Sequence, residues 1–126
     1  MLDKDYAKIS TKLVKWIRER VTEAGCEGVV VGLSGGIDSA VTATLCKMAF
    51  PDNMMGLIMP CYSDSQDELD AKKVAEKFEI PYEVIDLKDT FNQLLSTIEG
   101  SADLENNLAV ANIKPRLRMT TLYYCA

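Results

Sequence analysis

Histidine is absent from all 126 residues. That gap removes Ser-His-Asp and Cys-His nucleophile systems, and histidine-ligated metals, from this stretch. Cysteine occurs four times, at positions 26, 46, 61 and 125, and never as a CxxC pair. Zinc sites place ligands two to four residues apart, so a metal cluster is not expected; the four read as reduced thiols in or near the core. No apolar run approaches the ~18 residues a membrane span needs. The opening MLDKDYAKIS has no apolar h-region, which argues against a secretory signal and for a cytoplasmic protein. Positive charge is also scarce. With 14 Lys and Arg against 19 Asp and Glu, the formal net charge is -5, a poor basis for gripping a nucleic-acid backbone. An acidic protein can still bind an anionic nucleotide, but only through N–H-rich loops or local basic clusters.

What is present is an ordinary globular balance, 48% hydrophobic and 26% charged, enough for one domain with a modest core. Residues 4–24 carry Ile9, Leu13, Trp16, Ile17 and Val21 at helical spacing, and Gly25 suits the helix end. Residues 28–33 (GVVVGL) form a β-branched run that is apolar at consecutive positions, as in a parallel strand buried on both faces. A helix is predicted over 38–50, a second strand over 54–59, and a helix with an acidic first turn over 66–78. A third strand at 82–86 and a helix at 90–98 follow, then a polar, turn-rich segment at 99–107 read as a mobile loop. Strand–helix alternation of this kind predicts an α/β fold, a doubly wound open parallel sheet with helices on both faces. The last segment, 112–126 (NIKPRLRMTTLYYCA), reads as a helix with Asn112 as cap and Pro115 in its first turn. It lacks a stop signal, so the sheet is expected to be incomplete at the C-terminus and the chain to be the N-terminal part of a single larger domain.

The chemistry concentrates in Gly32, Leu33, Ser34, Gly35, Gly36, Ile37, Asp38 and Ser39 (GLSGGIDS), between the first strand and the next helix. Glycines let the backbone turn tightly so that successive N–H groups point at phosphate oxygens, and the helix N-terminus adds positive partial charge. The hydroxyls of Ser34 and Ser39 supply further donors. A Walker A loop would need a lysine here, and none occurs before Lys47; the GxGxxG spacing of a dinucleotide fingerprint is missing too. Asp38 inside a phosphate cradle makes sense if it holds Mg2+, a hard cation that binds carboxylate and phosphate together. The plain alternative is a Gly-Gly turn with a helix-capping aspartate.

This SGGIDS stretch resembles the pyrophosphate loop of the ATP pyrophosphatase superfamily, in which SGGxDS follows the first strand. The resemblance implies a fold of the adenine nucleotide alpha hydrolase type. It also implies a shared strategy: an acceptor oxygen attacks the α-phosphate of ATP, pyrophosphate leaves, and a nucleophile then displaces AMP.

A second constellation, Asn112–Tyr124, packs Lys114, Arg116 and Arg118 into five residues. At ~100° per residue Arg118 points with Lys114 and Thr121, and Arg116 nearly the other way, with Tyr123. Ile113, Leu117 and Tyr124 make one apolar stripe, and Met119, Leu122 and Ala126 another. Standing alone, this would be a buried helix with solvated basic residues. NIKPRLRM followed by LYY, however, resembles the N-[IV]-K-x-R-x-R-M stretch of NAD synthetases, and QDELDA at 66–71 is similar to their Q-x-D-E-x-D-A segment. Three matches in family order span residues 32–124.

That resemblance to ammonia-dependent NAD synthetases implies Mg-ATP adenylation of the nicotinate carboxylate of deamido-NAD, followed by attack of ammonia to give NAD and AMP. It implies Asp38 as the Mg2+ ligand, Arg118 and, less directly, Arg116 as deamido-NAD contacts, and a homodimer in the full-length protein. The single helix before the first strand resembles the ammonia-fed form, which lacks a glutaminase domain. Family chains are about twice this length, so the chain alone is expected to be inactive. No acid–base residue is evident, which leaves positioning and charge neutralisation as the sources of rate. Other readings are a GMP synthetase-like amidating enzyme, a tRNA-thiolating enzyme (disfavoured by the acidic charge and the lack of catalytic cysteines), and an inactive nucleotide-binding fragment.

Overall fold

A computed structural model describes residues 5–99 and 107–126. Most of the segment expected to be a loop, 99–107, falls outside them. Asp5 accepts the Lys8 N–H at 3.1 Å and so caps α1, Tyr6–Glu23. Then come β1 (Val29–Gly32), α2 (Ile37–Ala49), β2 (Met54–Ile58), α3 (Ser65–Lys77), β3 (Tyr82–Val84), α4 (Lys88–Glu99) and α5 (Asn107–Cys125). The three strands form one parallel sheet in the order β1-β2-β3. Two strand–helix–strand units thus advance in one direction across the sheet, and their crossover helices α2 and α3 share one face.

That face is closed by Leu33, Ala43, Cys46, Met54, Ile58, Ala71, Ala75 and Ile80. The alanines of α2 and α3 let both helices sit close to the strands; Ala43 and Ala75 are fully buried. Gly56 within β2 makes room for the core side chains Leu33 and Ile80, since a Cβ there would lie 2.8 Å from Leu33 Cδ1. The opposite face is covered by α4 and α5. Leu57, Met59, Cys61, Leu87 and Phe91 are buried there, with Val110, Ile113, Leu117 and Leu122 of α5 packed against them. Helices on both faces of a parallel sheet are what the alternation predicts.

β1 is one of the two edge strands. Its odd positions face β2, with the Val29 N–H on the Asn53 carbonyl (3.2 Å) and the Leu33 N–H on the Leu57 carbonyl (2.8 Å). The register therefore turns the backbone groups of Val30 and Gly32 to the outer side. Being paired on one side only, β1 is half-buried throughout, where a strand buried on both faces is expected.

Three further expectations need correction. On α1, contact with α2 runs along Val14 and Ile17, and Ile9, Leu13 and Trp16 stay exposed, Trp16 at 57%. The apolar stripe is wider than the single helix packed on it. At the other end, α5 begins at Asn107, which places Pro115 in the helix interior. Pro115 cannot supply the N–H that the Ala111 carbonyl would normally accept; one residue on, the Arg116 guanidinium donates to the Asn112 carbonyl at 2.9 Å. Third, of the stripe Ile113–Leu117–Tyr124, the first two pack against the core while Tyr124 is 91% exposed.

All four cysteines are free, but only Cys46 and Cys61 are buried; Cys26 and Cys125 lie on the surface, not near the core. Burial raises the Cys46 thiol above its ordinary range, since the interior disfavours the thiolate. Among the described residues, no helix is long and apolar enough to cross a membrane. We predict that a disulfide-exchange reagent modifies Cys26 and Cys125 rapidly in the native chain and reaches Cys46 and Cys61 only on unfolding. Four fast thiols in buffer would show that the two core layers are not formed.

Candidate nucleotide-binding site

The chain leaves β1 at its carboxyl end and must reverse into α2 within four residues, Leu33 to Gly36. Gly35 makes the reversal at φ +85°, in the left-handed region, and a Cβ there would lie 2.5 Å from the Asp67 carbonyl oxygen. The loop therefore sits directly on the first turn of α3. Gly36 takes the N-cap position of α2 with no side chain to cap it. The first N–H groups of a helix have no intrahelical acceptor, and among the described residues none meets those of Ile37, Asp38 and Ser39. An anion at this point would take the place of the missing cap.

The two hydroxyls hold the loop together from within. The Ser39 hydroxyl accepts the Ser34 N–H (3.1 Å) and the Ser34 O–H (3.0 Å), and donates to the Gly36 carbonyl (3.2 Å). Ser34 Oγ in turn accepts the Gly36 N–H at 3.3 Å. These bonds pre-shape the turn, so the backbone does not have to be ordered by its ligand.

A cavity of about 380 Å³ opens beside the loop. Gly32, Leu33, Ser34 and Ser39 form one wall; Ile58, Met59 and Pro60 at the end of β2 form another. Ser63 borders it from the β2–α3 connection, Asp67 and Glu68 from the first turn of α3, and Arg118 and Leu122 from α5. That volume is within the roughly 300–1,000 Å³ of small-molecule pockets, and the lining mixes apolar walls with a few convergent polar groups. Glu68 is partly neutralised by Lys72 at 3.1 Å.

Arg118 reaches the cavity from a helix far away in sequence. Its Nε donates to the Met59 carbonyl at 3.0 Å and its Nη2 to Ser63 Oγ at 3.1 Å. Two of its five N–H donors are thereby spent on orientation and three remain. Arg116 lies on the exposed side of α5, outside the cavity. The structure thus brings Arg118 together with Ser34 and Ser39 and leaves Arg116 apart. Gly35, Gly36, Ile37 and Asp38 do not line the cavity, and the Asp38 carboxylate is exposed on the first turn of α2.

No three His, Cys, Asp or Glu side chains gather into a metal site among the described residues. Asp38 offers a hard oxygen beside an anion-binding loop. That donor fits Mg2+, which keeps most of its waters and is commonly held by one or two carboxylates plus substrate phosphates. Sequence reading missed Ile58, Met59, Pro60, Ser63 and Leu122 as wall residues, and quoted Asp67 and Glu68 only within the QDELDA stretch. Apolar residues closing a strand and a lone serine carry no motif; only the rule that ligands bind at the carboxyl ends of parallel strands could have pointed to them.

Gly35→Ala tests the seat of the loop. The substitution combines a left-handed backbone angle with a contact too short for a Cβ, a penalty of about 1–2 kcal/mol for the backbone alone. We expect weaker binding of inorganic pyrophosphate by calorimetry with an unchanged far-UV circular dichroism spectrum. Unchanged affinity would show that the turn plays no part in anion binding.

The model of the NAD synthase family matches residues 9–126. The NH(3)-dependent NAD(+) synthetase of Carboxydothermus hydrogenoformans is 52% identical over 116 residues, covering 91% of this chain and 48% of that protein. Among solved structures, an NH3-dependent NAD synthetase from Campylobacter jejuni superposes with a TM-score of 0.84 at 33% identity, over 95% of this chain and 51% of its own. An NMN synthetase from Francisella tularensis superposes with a TM-score of 0.89 at 32% identity, over 98% and 51%. The chain spans about half the length of the curated relatives it matches. With the glycine loop, the parallel sheet and the family model in agreement over 118 of its 126 residues (9 through 126), the chain belongs to the NAD synthase family.

Proposed function

We propose that this chain forms the ATP-binding part of an ammonia-dependent NAD synthetase. The observation that carries this reading is a convergence in one place. Two loop hydroxyls and an oriented arginine border one cavity, beside a helix N-terminus that no side chain caps, and Ile58, Met59, Pro60 and Leu122 give that cavity an apolar wall. The pyrophosphate of ATP would lie on the glycine loop, and the adenine against Ile58, Met59, Pro60 and Leu122. Such a division suits a molecule that is anionic at one end and flat and apolar at the other.

In the proposed reaction a carboxylate oxygen of deamido-NAD attacks the α-phosphorus of ATP, and the bond to pyrophosphate breaks. Ammonia then attacks the acyl carbon, AMP leaves, and a proton from nitrogen is lost to solvent. The loop N–H groups would hold the leaving pyrophosphate. Arg118 would face the oxygens that gain charge around the α-phosphorus, next to the acceptor carboxylate. Asp38 would hold Mg2+, which neutralises phosphate charge when bound. Arg116, on the outer side of α5, would meet the acceptor only from the far side of that helix. A homodimer is consistent with the exposed Met119, Tyr123 and Tyr124 on α5, and a cytoplasmic enzyme with four free thiols.

Three substitutions test this in a polypeptide of the relatives' length that includes residues 1–126. Asp38→Asn is expected to abolish pyrophosphate release while the melting temperature is retained; full activity at ordinary Mg2+ would reduce Asp38 to a surface residue. Arg118→Ala is expected to lose roughly 2–3 kcal/mol in kcat/KM, the range for a charge-assisted contact, and Arg116→Ala distinctly less. Equal losses would remove the distinction between the two arginines. Product analysis with deamido-NAD and with nicotinate mononucleotide decides the acceptor, a necessary comparison because one structural relative is an NMN synthetase.

Residues 1–126 alone are expected to bind nucleotide but form no NAD. A monodisperse 126-residue enzyme that makes NAD would overturn the proposal that the other half is needed.

A further inference from the structure

We infer that Ser63 is a ligand-binding residue, a one-way donor to a phosphoryl oxygen of the nucleotide in the cavity. The inference rests on the reading of that cavity as an ATP site. A serine hydroxyl has two lone pairs and one proton. Ser63 Oγ accepts the Cys61 N–H at 3.3 Å and the Arg118 Nη2–H at 3.1 Å, so both lone pairs are engaged. No acceptor meets its own proton among the described residues. Ser63 borders the cavity together with Ser34, Ser39 and Arg118. What it has left to offer a ligand is a single O–H, and the guanidinium bonded to its oxygen polarises that O–H into a stronger donor. The cation alongside favours an anionic acceptor over a neutral ring nitrogen.

The orientation of Ser63 is set from outside the cavity. The preceding residue, Tyr62, sits at φ +54°, a left-handed angle that a bulky side chain adopts only when its surroundings require it. Four contacts fix its side chain. Its hydroxyl donates to Asn92 Oδ1 at 2.7 Å, and its ring meets Phe91 edge to face at 5.7 Å between centroids. The ammonium groups of Lys88 and Lys114 lie 5.3 and 5.6 Å from the ring centroid. Lys114 is one helical turn before Arg118, so α5 grips the β2–α3 connection twice, at Tyr62 through Lys114 and at Met59 and Ser63 through Arg118. These contacts do not involve the cavity, and they hold the hydroxyl in place before any ligand arrives.

The test uses the 126-residue chain, calorimetry with ATP and with inorganic pyrophosphate, and the Nε–H resonance of Arg118 as a probe that needs no ligand. Ser63→Ala is expected to weaken ATP roughly ten- to hundredfold, as for one lost hydrogen bond to a charged group. The Arg118 Nε–H, held by the Met59 carbonyl, should stay protected from exchange. Ser63→Thr, which keeps the hydroxyl, should restore most of the affinity, and Tyr62→Gly, which frees the backbone but removes the ring, should not. Wild-type affinity in Ser63→Ala overturns the proposal and leaves the ATP site standing. Weakened binding together with an unprotected Arg118 Nε–H and no rescue by threonine makes Ser63 a brace for Arg118, and this too overturns it. A wild-type chain that binds neither probe overturns the ATP reading, and the role of Ser63 with it.

Discussion

The start of α2 has donors and no acceptor, and most of the molecule can be understood as the means of placing that deficit. A side chain at the N-cap would have supplied an oxygen and closed the site; Gly36 supplies none. Leaving it open requires the turn at Gly35, and the turn in turn requires that nothing project toward Asp67. The distance from β1 to α3 is then set by the alanines that let helices approach the sheet and by the glycine that seats Leu33 and Ile80. The core is thus shaped by the site as much as the site is carried by the core. Stability alone would have favoured a capped helix and larger core residues.

Much of this was legible before any coordinates. Short apolar runs and period-3.6 patterns, punctuated by glycine and proline, are local signals, and the strands and helices from 28 to 98 follow them to within a few residues. The glycine loop was equally plain, because its chemistry is carried by contiguous residues. Information that depends on distance in sequence was not legible. Arg118 is oriented by a carbonyl 59 residues away, and nothing near either position announces the pair. Pro115 misled for the converse reason: its local meaning is a helix start, and the packing of Val110, Ile113 and Leu117 on one core overrides that preference. The spacing on α1 gave the helix but not which part of its apolar stripe would be covered, because periodicity reports apolarity and not what packs on it.

The position of edge strand β1 deserves a place beside the loop. α2 and α3 lie on one face and α4 and α5 on the other, the arrangement from which right-handed crossovers extend a sheet in both directions from its first strand. Open α/β sheets bind ligands outside the carboxyl ends of their strands. The glycine loop follows β1 directly. The unpaired outer backbone of Val30 and Gly32 and the cavity next to it are two consequences of one topology.

The bond between Arg118 and Met59 joins a side chain to a main-chain carbonyl, and this separates two properties at one position. The carbonyl is there whatever residue stands at 59, and it neither titrates near neutral pH nor changes with substitution. The Met59 side chain, by contrast, is a deformable thioether among the apolar walls. Evolution can therefore reshape this apolar wall by changing residue 59 without disturbing the cation that the same residue anchors. Adaptation of the pocket to a different ring, or to a different temperature, can proceed there one substitution at a time.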